Sequence, residues 1–500
     1  MNNQDVTEDT IAAISTAYGT GAIGIIRISG SLSFDIAKRI FKGNKDIKQV
    51  KTHCVSYGFI VDPKNNERID EVLITKMAAP MTYTREDIIE INCHAGLETQ
   101  TRILELVVEA GARIAEPGEF TKRAFLNGRI DLAQAEAVMD IITSTGKMSA
   151  KAALNQLEGA VSSAISSARN DLLDLVASLD AVLDFPEHDL EEIAMRDAND
   201  QLEKIRGKLQ RLENSFEKGR LVRDGISCII AGKPNVGKSS LLNQLVGKNR
   251  AIVTETPGTT RDLICERISI GEFILNVTDS AGIRRTDDAV EKIGVDVAVQ
   301  AIKKADITII VFDSTTDLNA DDYKVLNLTE NIPRIYLINK IDIAKRSRIE
   351  NLRATLQKIE NQTAGAAGAA GAAGATMSLA TDCPNTNALT AIKTTSTIIE
   401  SSLVNGIGLT ELERTITTMF NNGYIQSNDE ALLTNKRHHV QTQKALIAID
   451  DAVEAIKIGC PVDIALIGMK EAIQALGEIT GEDCLSDVID KIFADFCLGK

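Results

Sequence analysis

The hydrophobic pattern in the first quarter of the chain mixes strand and helix. Apolar side chains form short runs at residues 23–28 and 71–76, which is typical of strands. Residues 98–110 instead place their apolar side chains three or four positions apart, as one face of a helix does. The pattern therefore predicts an α+β domain over residues 1–125.

A helical pattern follows over residues 126–219. Apolar positions recur there at helical spacing in three sets, and each set is expected to lie on one buried face. The run ends at residues 184–187 (Asp-Phe-Pro-Glu), because proline interrupts a helix. The three sets are Leu132, Ala135, Met139 and Ile142; Leu154, Leu157, Val161 and Ile165; and Leu172, Val176, Leu179 and Leu183.

Strands and helices alternate over residues 220–421, which predicts an α/β domain. Its apolar runs at residues 226–231, 273–277 and 334–338 are expected to be strands. Residues 422–500 are helical again, which indicates that the α/β domain is inserted into a helical domain whose two halves meet in space. The fold class expected for the whole chain is therefore α/β and α+β multidomain.

A phosphate-binding motif stands between the first of these apolar runs and a predicted helix. Residues 232–239 are Gly-Lys-Pro-Asn-Val-Gly-Lys-Ser, the G-x-x-x-x-G-K-S pattern of a P-loop. Glycines let backbone N–H groups surround a polyphosphate, Lys238 reaches the outer phosphates, and Ser239 offers a hydroxyl to Mg²⁺. The strand before the motif and the helix after it are the context that such a loop needs.

Two later motifs identify the nucleotide. Residues 279–282 (Asp-Ser-Ala-Gly) follow the second apolar run, where the carboxylate can hold the Mg²⁺ shell and the glycine N–H can contact a γ-phosphate. Residues 339–342 (Asn-Lys-Ile-Asp) follow the third run, where a carboxylate can accept two N–H bonds from guanine that adenine cannot supply. Three motifs in this order predict a Ras-like P-loop G domain that binds GTP. The GTP-binding residues predicted are Asn235, Val236, Gly237, Lys238, Ser239, Ser240, Thr254, Glu255, Thr256, Pro257, Gly258, Thr259, Thr260, Asp279, Ser280, Ala281, Gly282, Asn339, Lys340 and Asp342.

The group that orients water in Ras-like GTPases is missing from its usual place. Those enzymes carry a glutamine directly after the glycine of the second motif, and here Ile283 stands at that position. Either hydrolysis is slow or another group does the work. Residues 258–262 (Gly-Thr-Thr-Arg-Asp) are typical of a mobile switch, in which Thr260 would join Ser239 in the Mg²⁺ site.

The composition of the chain limits the partners and the cellular compartment that we expect for it. Because the net charge is −15, a general nucleic-acid-binding surface is excluded, and RNA contact needs a local patch or a partner. Eight cysteines are scattered without metal-ligand spacing, which favours a reducing compartment. We find neither a signal peptide nor an apolar run long enough to span a membrane. The sequence therefore predicts a cytoplasmic protein without membrane contact.

A low-complexity tract interrupts the predicted G domain. Residues 363–375 consist mostly of glycines separated by pairs of alanines, and we expect a disordered surface insertion there. Because the tract precedes the end of the domain, the fifth GTPase motif is hard to place. The best candidate is Ser402-Leu403-Val404, which precedes Gly406-Ile407-Gly408.

Further strings of residues, outside the nucleotide motifs, occur along nearly all 500 residues. They are Asp9-Thr10-Ile11-Ala12-Ala13, Gly24-Ile25-Ile26-Arg27-Ile28-Ser29-Gly30, Tyr83-Thr84, Glu86-Asp87, Glu90-Ile91, Cys93-His94, Ala115-Glu116-Pro117-Gly118-Glu119-Phe120-Thr121, Arg123-Ala124-Phe125-Leu126-Asn127-Gly128, Gln134-Ala135-Glu136-Ala137, Asp184-Phe185-Pro186-Glu187, Phe496-Cys497 and Gly499-Lys500. In these strings the chain resembles the MnmE (TrmE) family of tRNA modification GTPases. Four residues depart from the family pattern, namely Asn92, Ala95, Ser280 and Leu498.

The resemblance implies an N-terminal domain that dimerises and binds 5-formyltetrahydrofolate or a related one-carbon folate. The matching folate positions are Arg27, Glu90, Arg129 and Lys500. It also implies a heterotetramer with the FAD-dependent partner MnmG (GidA). Together the two proteins would add a carboxymethylaminomethyl or aminomethyl group to carbon 5 of the wobble uridine of certain tRNAs.

The resemblance also implies how hydrolysis proceeds without the glutamine. G domains of the family dimerise across their nucleotide faces, and a potassium ion supplies positive charge there. The matching catalytic residue, which positions the attacking water, is Glu291. The matching potassium ligands are Asn235, Thr254, Thr256 and Thr259.

Three other functions remain open. A ribosome-assembly GTPase that binds RNA is the first, although residues 422–500 lack the Gly-x-x-Gly loop of the KH module that such proteins usually append. A non-catalytic GTP switch is the second, and Ile283 favours it. A free-standing folate-dependent transferase is the third, but it leaves the G domain without a role.

Overall fold

The computed structural model describes residues 9–17, 19, 21–184, 191–249, 265–279, 302, 305–330, 332–370, 397–421, 431–494, 496–497 and 499. The chain forms two compact units. The first comprises Met1–Met139, Gln156–Gln210 and Val440–Lys500, and the second comprises Asp140–Asn155 and Arg211–His439. Within the described ranges, no helix is both long and apolar enough to cross a membrane.

The secondary structure follows the periods expected from the sequence. The strands are β1 (Ile11–Ile14), β2 (Ile23–Ser29), β3 (Phe41–Gly43), β4 (Cys54–Val61), β5 (Arg68–Met77), β6 (Ile88–His94), β7 (Arg113–Ile114), β8 (Ile226–Ala231), β9 (Cys265–Ile270), β10 (Phe273–Asp279), β11 (Ile307–Asp313), β12 (Arg334–Asn339) and β13 (Thr397–Glu400). The helices are α1 (Ser33–Ile40), α2 (Leu97–Glu109), α3 (Glu119–Leu126), α4 (Leu132–Thr143), α5 (Lys147–Leu157), α6 (Ala160–Asp184), α7 (Glu191–Asn214), α8 (Phe216–Asp224), α9 (Lys238–Asn249), α10 (Ala320–Leu328), α11 (Arg346–Ala370), α12 (Leu409–Asn421), α13 (Lys436–Lys457), α14 (Val462–Thr480) and α15 (Ser486–Ala494).

The first unit contains a seven-stranded sheet in the order β3-β4-β5-β6-β2-β1-β7. All its strand pairs are antiparallel except β1 with β7. Helices α1 and α2 cover one face, where alternate strand residues such as Ile26, Ile74 and Ile91 are fully buried. Because side chains alternate between the faces of a strand, the residues between them lie on the opposite face. This confirms the α+β character and the two strands and one helix predicted for this region.

In the first unit, helix α6 packs against helix α14. The predicted apolar face of α6 is confirmed where the side chains are described, since Leu172, Val176 and Leu179 are buried. The face predicted across residues 154–165 is wrong. Gly159, with a positive φ of 94°, separates α5 from α6, and Leu154 is 47% exposed whereas Val161 and Ile165 are buried.

The second unit contains a six-stranded sheet in the order β13-β12-β11-β8-β10-β9. Only β9 runs antiparallel to its neighbour, and the other pairs are parallel. Two separate apolar clusters contain alternate residues of the same strands, so the sheet has a core on each face. The predicted strands at residues 226–231, 273–277 and 334–338 are confirmed. Their carboxyl ends meet at one edge of the sheet, which is where ligands bind in such folds.

The beginning of the glycine–alanine tract is helical. Helix α11 extends through residues 363–370, so the prediction of disorder is wrong for this stretch. Alanine has the highest helix propensity, and a helix that is already nucleated gains one hydrogen bond for each residue added. The glycines weaken the helix without ending it. Residues 371–375 of the tract lie outside the described residues.

Candidate nucleotide and folate sites

The phosphate loop joins the end of β8 to the start of α9. Three of its residues have positive φ, namely Gly232 (140°), Asn235 (63°) and Gly237 (112°). A side chain at Gly232 would also approach the carbonyl oxygen of Val311 to within 2.5 Å. The loop therefore needs glycine both for its backbone conformation and for close packing on the neighbouring strand.

Polar groups of the loop converge at the N-terminus of α9. The Lys238 side chain is 8% exposed, and its Nζ donates to the carbonyl oxygens of Gly232 at 2.8 Å and Lys233 at 2.6 Å. Ser239 and Ser240 follow in the first turn and are exposed. A lysine, two hydroxyls and the N–H groups of a helix start together suit a polyphosphate.

The predicted guanine motif lies directly against the phosphate loop. Asn339 Nδ2 donates to the carbonyl oxygen of Val236 at 2.8 Å, and Lys340 Nζ donates to that of Asn235 at 2.9 Å. Asp342, the predicted guanine reader, is exposed. These bonds link the two loops, so that a ligand held by one loop is also placed relative to the other.

A carboxylate that was not singled out from the sequence holds the lysine of this motif. Asp313 ends β11, and its Oδ2 accepts from Lys340 Nζ at 2.6 Å, while its Oδ1 accepts from Thr315. Burial alone would raise the pKa of Asp313, but the bonds from Lys340 and Thr315 lower it below its ordinary value. The carboxylate is therefore charged at neutral pH and fixes the lysine amine.

The segment expected to contain the fifth motif lies beside the third. Leu403 N donates to Asn339 Oδ1 at 3.1 Å, and Gln244 of α9 donates to the carbonyl oxygen of Leu403 at 3.2 Å. Ser402 is fully buried. The loop after β13 thus contacts both Asn339 and the helix that follows the phosphate loop, as a fifth GTPase motif would.

The remaining predicted nucleotide residues are only partly described. Asp279 ends β10, and its backbone pairs with Ile230 of β8, so the second motif begins at the same sheet edge as the phosphate loop. Its side chain lies outside the described residues. The other predictions outside that part of the chain are Thr254, Glu255, Thr256, Pro257, Gly258, Thr259, Thr260, Ser280, Ala281, Gly282 and Glu291.

Strand pairing in the first unit brings Arg27 and Glu90 together. The two residues are direct cross-strand partners on β2 and β6. Arg27 Nε and Nη2 both donate to Glu90 Oε1, at 2.9 and 2.8 Å, and the two side chains remain 18% and 22% exposed. A partly exposed carboxylate–guanidinium pair can exchange some of its bonds for those of a polar ligand.

Tyr83 connects this pair to the third predicted folate residue. The guanidinium carbon of Arg27 lies 5.8 Å from the centre of the Tyr83 ring, and that of Arg129 lies 5.2 Å from it. Arg129 also donates to the carbonyl oxygen of Thr82. Burial raises the pKa of Tyr83, whose hydroxyl bonds Thr121 at 2.9 Å, so the ring is neutral. Arg27 and Arg129 therefore lie against one aromatic ring, and Arg27 brings its partner Glu90 to the same site.

The C-terminal tail lies next to the strands that carry this site. Gly118 N donates to the carbonyl oxygen of Cys497 at 3.3 Å, and Ser15 Oγ donates to that of Gly499 at 3.0 Å. Ser15 directly follows β1, in which Ala13 is the cross-strand partner of Arg27. Lys500, the fourth predicted folate residue, lies outside the described residues.

Sequence reasoning missed Tyr83, Asp313 and Phe120 as parts of these sites. Phe120 places its ring 5.7 Å from the Arg27 guanidinium carbon. Tyr83 and Phe120 stood within strings that resemble the family, so an aromatic residue in such a string was the available signal. Asp313 ends an apolar run in the same way as Asp279 and Asn339, and that position was its signal.

Comparisons with known proteins place the chain in a family. The family described as "GTP-binding protein TrmE N-terminus" matches residues 10–129, and the "MnmE helical domain" matches residues 132–497. The tRNA modification GTPase MnmE of Acetivibrio thermocellus is 46% identical over 493 residues, which are 99% of each chain. That of Alkaliphilus oremlandii is 41% identical over 495 residues, again 99% of each.

Among solved structures, Era of Aquifex aeolicus is 25% identical and covers 44% of this chain and 66% of its own, with a TM-score of 0.28. The family matches and the full-length relatives identify the chain. It belongs to the MnmE (TrmE) family of tRNA modification GTPases, and it is a GTP hydrolase that acts in tRNA modification.

Proposed function

We propose that the chain couples GTP hydrolysis to a one-carbon modification of tRNA. With an FAD-containing partner of the MnmG (GidA) type, it adds a carboxymethylaminomethyl or aminomethyl group to carbon 5 of the wobble uridine. The observation that carries this proposal is the Arg27–Glu90 ion pair beside Tyr83, whose ring also lies against Arg129, in a chain that also holds a GTP phosphate loop. A GTPase that acted only as a switch would have no use for such a site.

Nucleoside analysis of tRNA from a strain lacking this chain tests the proposal. We expect loss of the modified wobble uridine, restored by the wild-type chain and not by Glu90→Ala. Normal tRNA together with accumulation of ribosomal particles would overturn the proposal in favour of a ribosome-assembly GTPase.

The candidate folate site suits a reduced one-carbon folate. A pterin is a guanine-like ring whose edge a carboxylate can accept from, and Glu90 offers such a carboxylate. Arg27 and Arg129 suit the ring oxygens or the glutamate tail, and Tyr83 offers an aromatic face between them. Lys500 would add a further positive charge. Calorimetry with 5-formyltetrahydrofolate should show binding by the full chain that Arg27→Ala weakens, whereas unchanged affinity would remove Arg27 from the site.

The nucleotide site suits Mg²⁺ and K⁺. Ser239, exposed at the start of α9, would hold Mg²⁺ together with Thr260. Asn235 is exposed, and its backbone oxygen is bonded by Lys340, so its amide side chain is the group available to a hard cation. We propose Thr254, Thr256 and Thr259 as the other potassium ligands and Glu291 as the residue that positions water.

Hydrolysis rates in different salts test the potassium site. GTP turnover should be faster in K⁺ than in Na⁺, and Asn235→Ala should remove that difference while GTP binding persists. Equal turnover of the wild-type chain in the two salts would overturn the assignment. Glu291→Ala should lower kcat by about 10²–10³, as the loss of one charge-positioning group does.

We propose that the chain forms a homodimer through the open face of the first unit's sheet. Ile23, Val55, Tyr57 and Leu73 are 65%, 59%, 49% and 47% exposed there, and Tyr57 and Leu73 are cross-strand partners. Exposed apolar patches of this kind mark interaction surfaces. Tyr57→Asp with Leu73→Asp should convert a dimer to a monomer in sedimentation, and a wild-type monomer would exclude the surface.

The domains we propose are residues 1–125, 126–219, 220–421 and 422–500. Packing of α6 on α14 supports joining the second and fourth of these into one helical domain, since each contributes a helix to a shared core. The G domain is then an insertion between the two halves. Heterotetramer formation with MnmG, tested by sedimentation of the mixed proteins, would complete this assembly.

A further inference from the structure

A fully buried arginine lies on α3, the helix whose residues Phe120 and Thr121 contact Arg27 and Tyr83 of the candidate folate site. Arg123 is 0% exposed and is among the largest fully buried side chains in the described part of the chain. Its guanidinium donates to the Asp9 carboxylate at 2.6 Å, to the Asp9 carbonyl oxygen at 2.9 Å and to Glu119 at 3.0 Å. It also contacts Glu86 at 3.2 Å. One charged group thus ties together three segments that are distant in the sequence.

Stability alone is a weak reason for this arrangement. Burial would lower the pKa of Arg123, but the surrounding carboxylates raise it above its ordinary value, so the side chain stays charged. Its Nε has no hydrogen-bond partner among the residues that the structure describes. Removing such a charge from water is unfavourable, and well-packed apolar residues are often as stabilising as a buried ion network. The relevant question is therefore which segments of the chain are fixed in position by the ion network of Arg123, Asp9, Glu86 and Glu119.

Glu86 connects Arg123 to the loop of residues 82–86. Ser29 Oγ donates to Glu86 Oε2 at 2.6 Å and shares a second bond of 2.6 Å with Thr84 Oγ1. The Thr82 hydroxyl donates to the Glu86 carbonyl oxygen at 2.6 Å. The two bonds of Ser29 thus join the loop to β2, the Thr82 bond lies within the loop, and Arg123 contacts the Glu86 carboxylate.

The same loop supplies two contacts of the candidate folate site. Tyr83 presents its ring to Arg27 and Arg129, and the Thr82 carbonyl oxygen accepts from Arg129. Arg123 itself is fully buried, and its described partners are Asp9, Glu86 and Glu119. Arg123 therefore reaches no ligand directly, and Glu86 is the partner that links it to the loop.

We propose that Arg123 is a positioning residue for the folate site, which acts through Glu86 to hold Tyr83 between Arg27 and Arg129. The inference rests on the proposed folate function. Lysine at this position keeps the charge but lacks the planar fork that reaches several carboxylates at once. Alanine at Glu86 breaks the connection from the other side.

Calorimetry of the full chain with 5-formyltetrahydrofolate tests this role. Arg123→Lys and Glu86→Ala should each weaken binding by about tenfold or more, as the loss of one well-placed charged contact does. GTP turnover of the same samples should stay near wild type. Because both residues act through one connection, the folate affinity of the double variant should be no lower than that of the single variant that binds folate more weakly.

A matched control and a ligand-free signal complete the experiment. The control is Arg102→Met, which removes an ion pair with the buried carboxylate of Asp62 in the same unit and should leave folate affinity unchanged. Chains labelled with fluorotyrosine contain six tyrosines, and Tyr83→Phe identifies the Tyr83 resonance. That resonance should shift in Arg123→Lys and in Glu86→Ala, but not in Arg102→Met.

The outcomes separate the two proposals. Wild-type folate binding that is lost in Arg27→Ala but retained in Arg123→Lys and Glu86→Ala overturns the positioning role alone. Additive losses in the double variant, or an unmoved Tyr83 resonance, also overturn it. A wild-type chain that binds no folate overturns the proposed function and this inference with it.

Discussion

The nucleotide site and the candidate folate site are built in opposite ways. The nucleotide site depends on main chain, because loops at one sheet edge exchange bonds with backbone carbonyl oxygens of the phosphate loop. The folate site depends on side chains from separate segments, because Arg27 pairs with Glu90 and lies with Arg129 against the Tyr83 ring. The first is specified by the conformation of eight consecutive residues, and the second by the packing of segments between Arg27 and Arg129, two of which are paired strands.

This difference predicts different sensitivities. A site made of backbone fails when a side chain is added, since no conformation compatible with the loop remains. A site made of side chains fails when one is removed, and the loss is limited to the contacts of that group. Four substitutions, from the largest expected effect to the smallest, test this contrast.

Gly237→Ala should have the largest effect. Gly237 has a φ of 112°, and a Cβ there would collide with the Asn339 side chain amide. Strain of about 1–3 kcal/mol plus that collision should weaken GTP binding by at least about a hundredfold. Fluorescent-nucleotide titration measures this.

The matched control for that change is Gly247→Ala, in the exposed part of α9, where a Cβ would meet nothing within 4 Å. It should bind GTP normally and stabilise the helix by about 1 kcal/mol. Normal GTP binding by Gly237→Ala would refute the view that backbone conformation builds the nucleotide site.

Glu90→Ala should weaken folate binding while sparing GTP. It removes a charged acceptor and leaves Arg27 without its partner, a loss of about 1.5–3 kcal/mol or roughly 10- to 100-fold in affinity. Calorimetry measures the affinity for folate, and nucleotide titration measures the affinity for GTP. Glu98→Ala, on the exposed first turn of α2, is the control and should change neither. Parallel loss of both affinities would show that the two sites are not independent.

Asp313→Asn should change how the free energy of unfolding depends on pH. The pKa of Asp313 is lowered because Lys340 and Thr315 bond the charged form, so the pair contributes fully above the ordinary carboxyl value of about 4 and is lost as pH falls through the lowered pKa. Denaturant unfolding between about pH 5 and 3 should therefore show a weaker fall in stability for the variant than for wild type. At neutral pH, GTP affinity should drop by a few fold, about the value of one charged hydrogen bond near the surface. If the stability of the variant and that of wild type depended on pH in the same way, Asp313 would not hold Lys340 in place.

Tyr83→Phe should have the smallest effect. It deletes the hydroxyl that bonds Thr121 and keeps the ring between the two arginines. Stability should fall by about 1 kcal/mol, and folate affinity should change by less than about threefold. Tyr83→Ala is its counterpart and should lose folate binding, because the ring itself is gone. Equal loss in the two variants would mean that the hydroxyl, and not the ring, serves the ligand.

Local patterns predicted much of the second unit. The β8 strand, the phosphate loop and the start of α9 follow from the sequence because each is specified by neighbouring residues. The same reasoning failed at residues 154–165, where Gly159 breaks what looked like one helical face. It failed again at residues 363–370, where a low-complexity sequence continues an existing helix.

The folate residues were reached by resemblance and not by pattern. Nothing in the spacing of Arg27 and Glu90 indicates that they face each other, since that follows from the register of β2 against β6. Tyr83 and Arg123 gave even less signal. An arginine in an amphipathic helix is ordinarily a surface residue, and only packing makes Arg123 a buried one.

The sequence by itself therefore determined the nucleotide chemistry. A phosphate loop, its lysine and the motifs after the next strands are short, and their function depends on backbone conformations that glycine and helix starts encode locally. Only the tertiary structure decided which side chains share the second site and which buried charges support it. Cross-strand register and burial are properties of residues far apart in the chain, and no local preference specifies them.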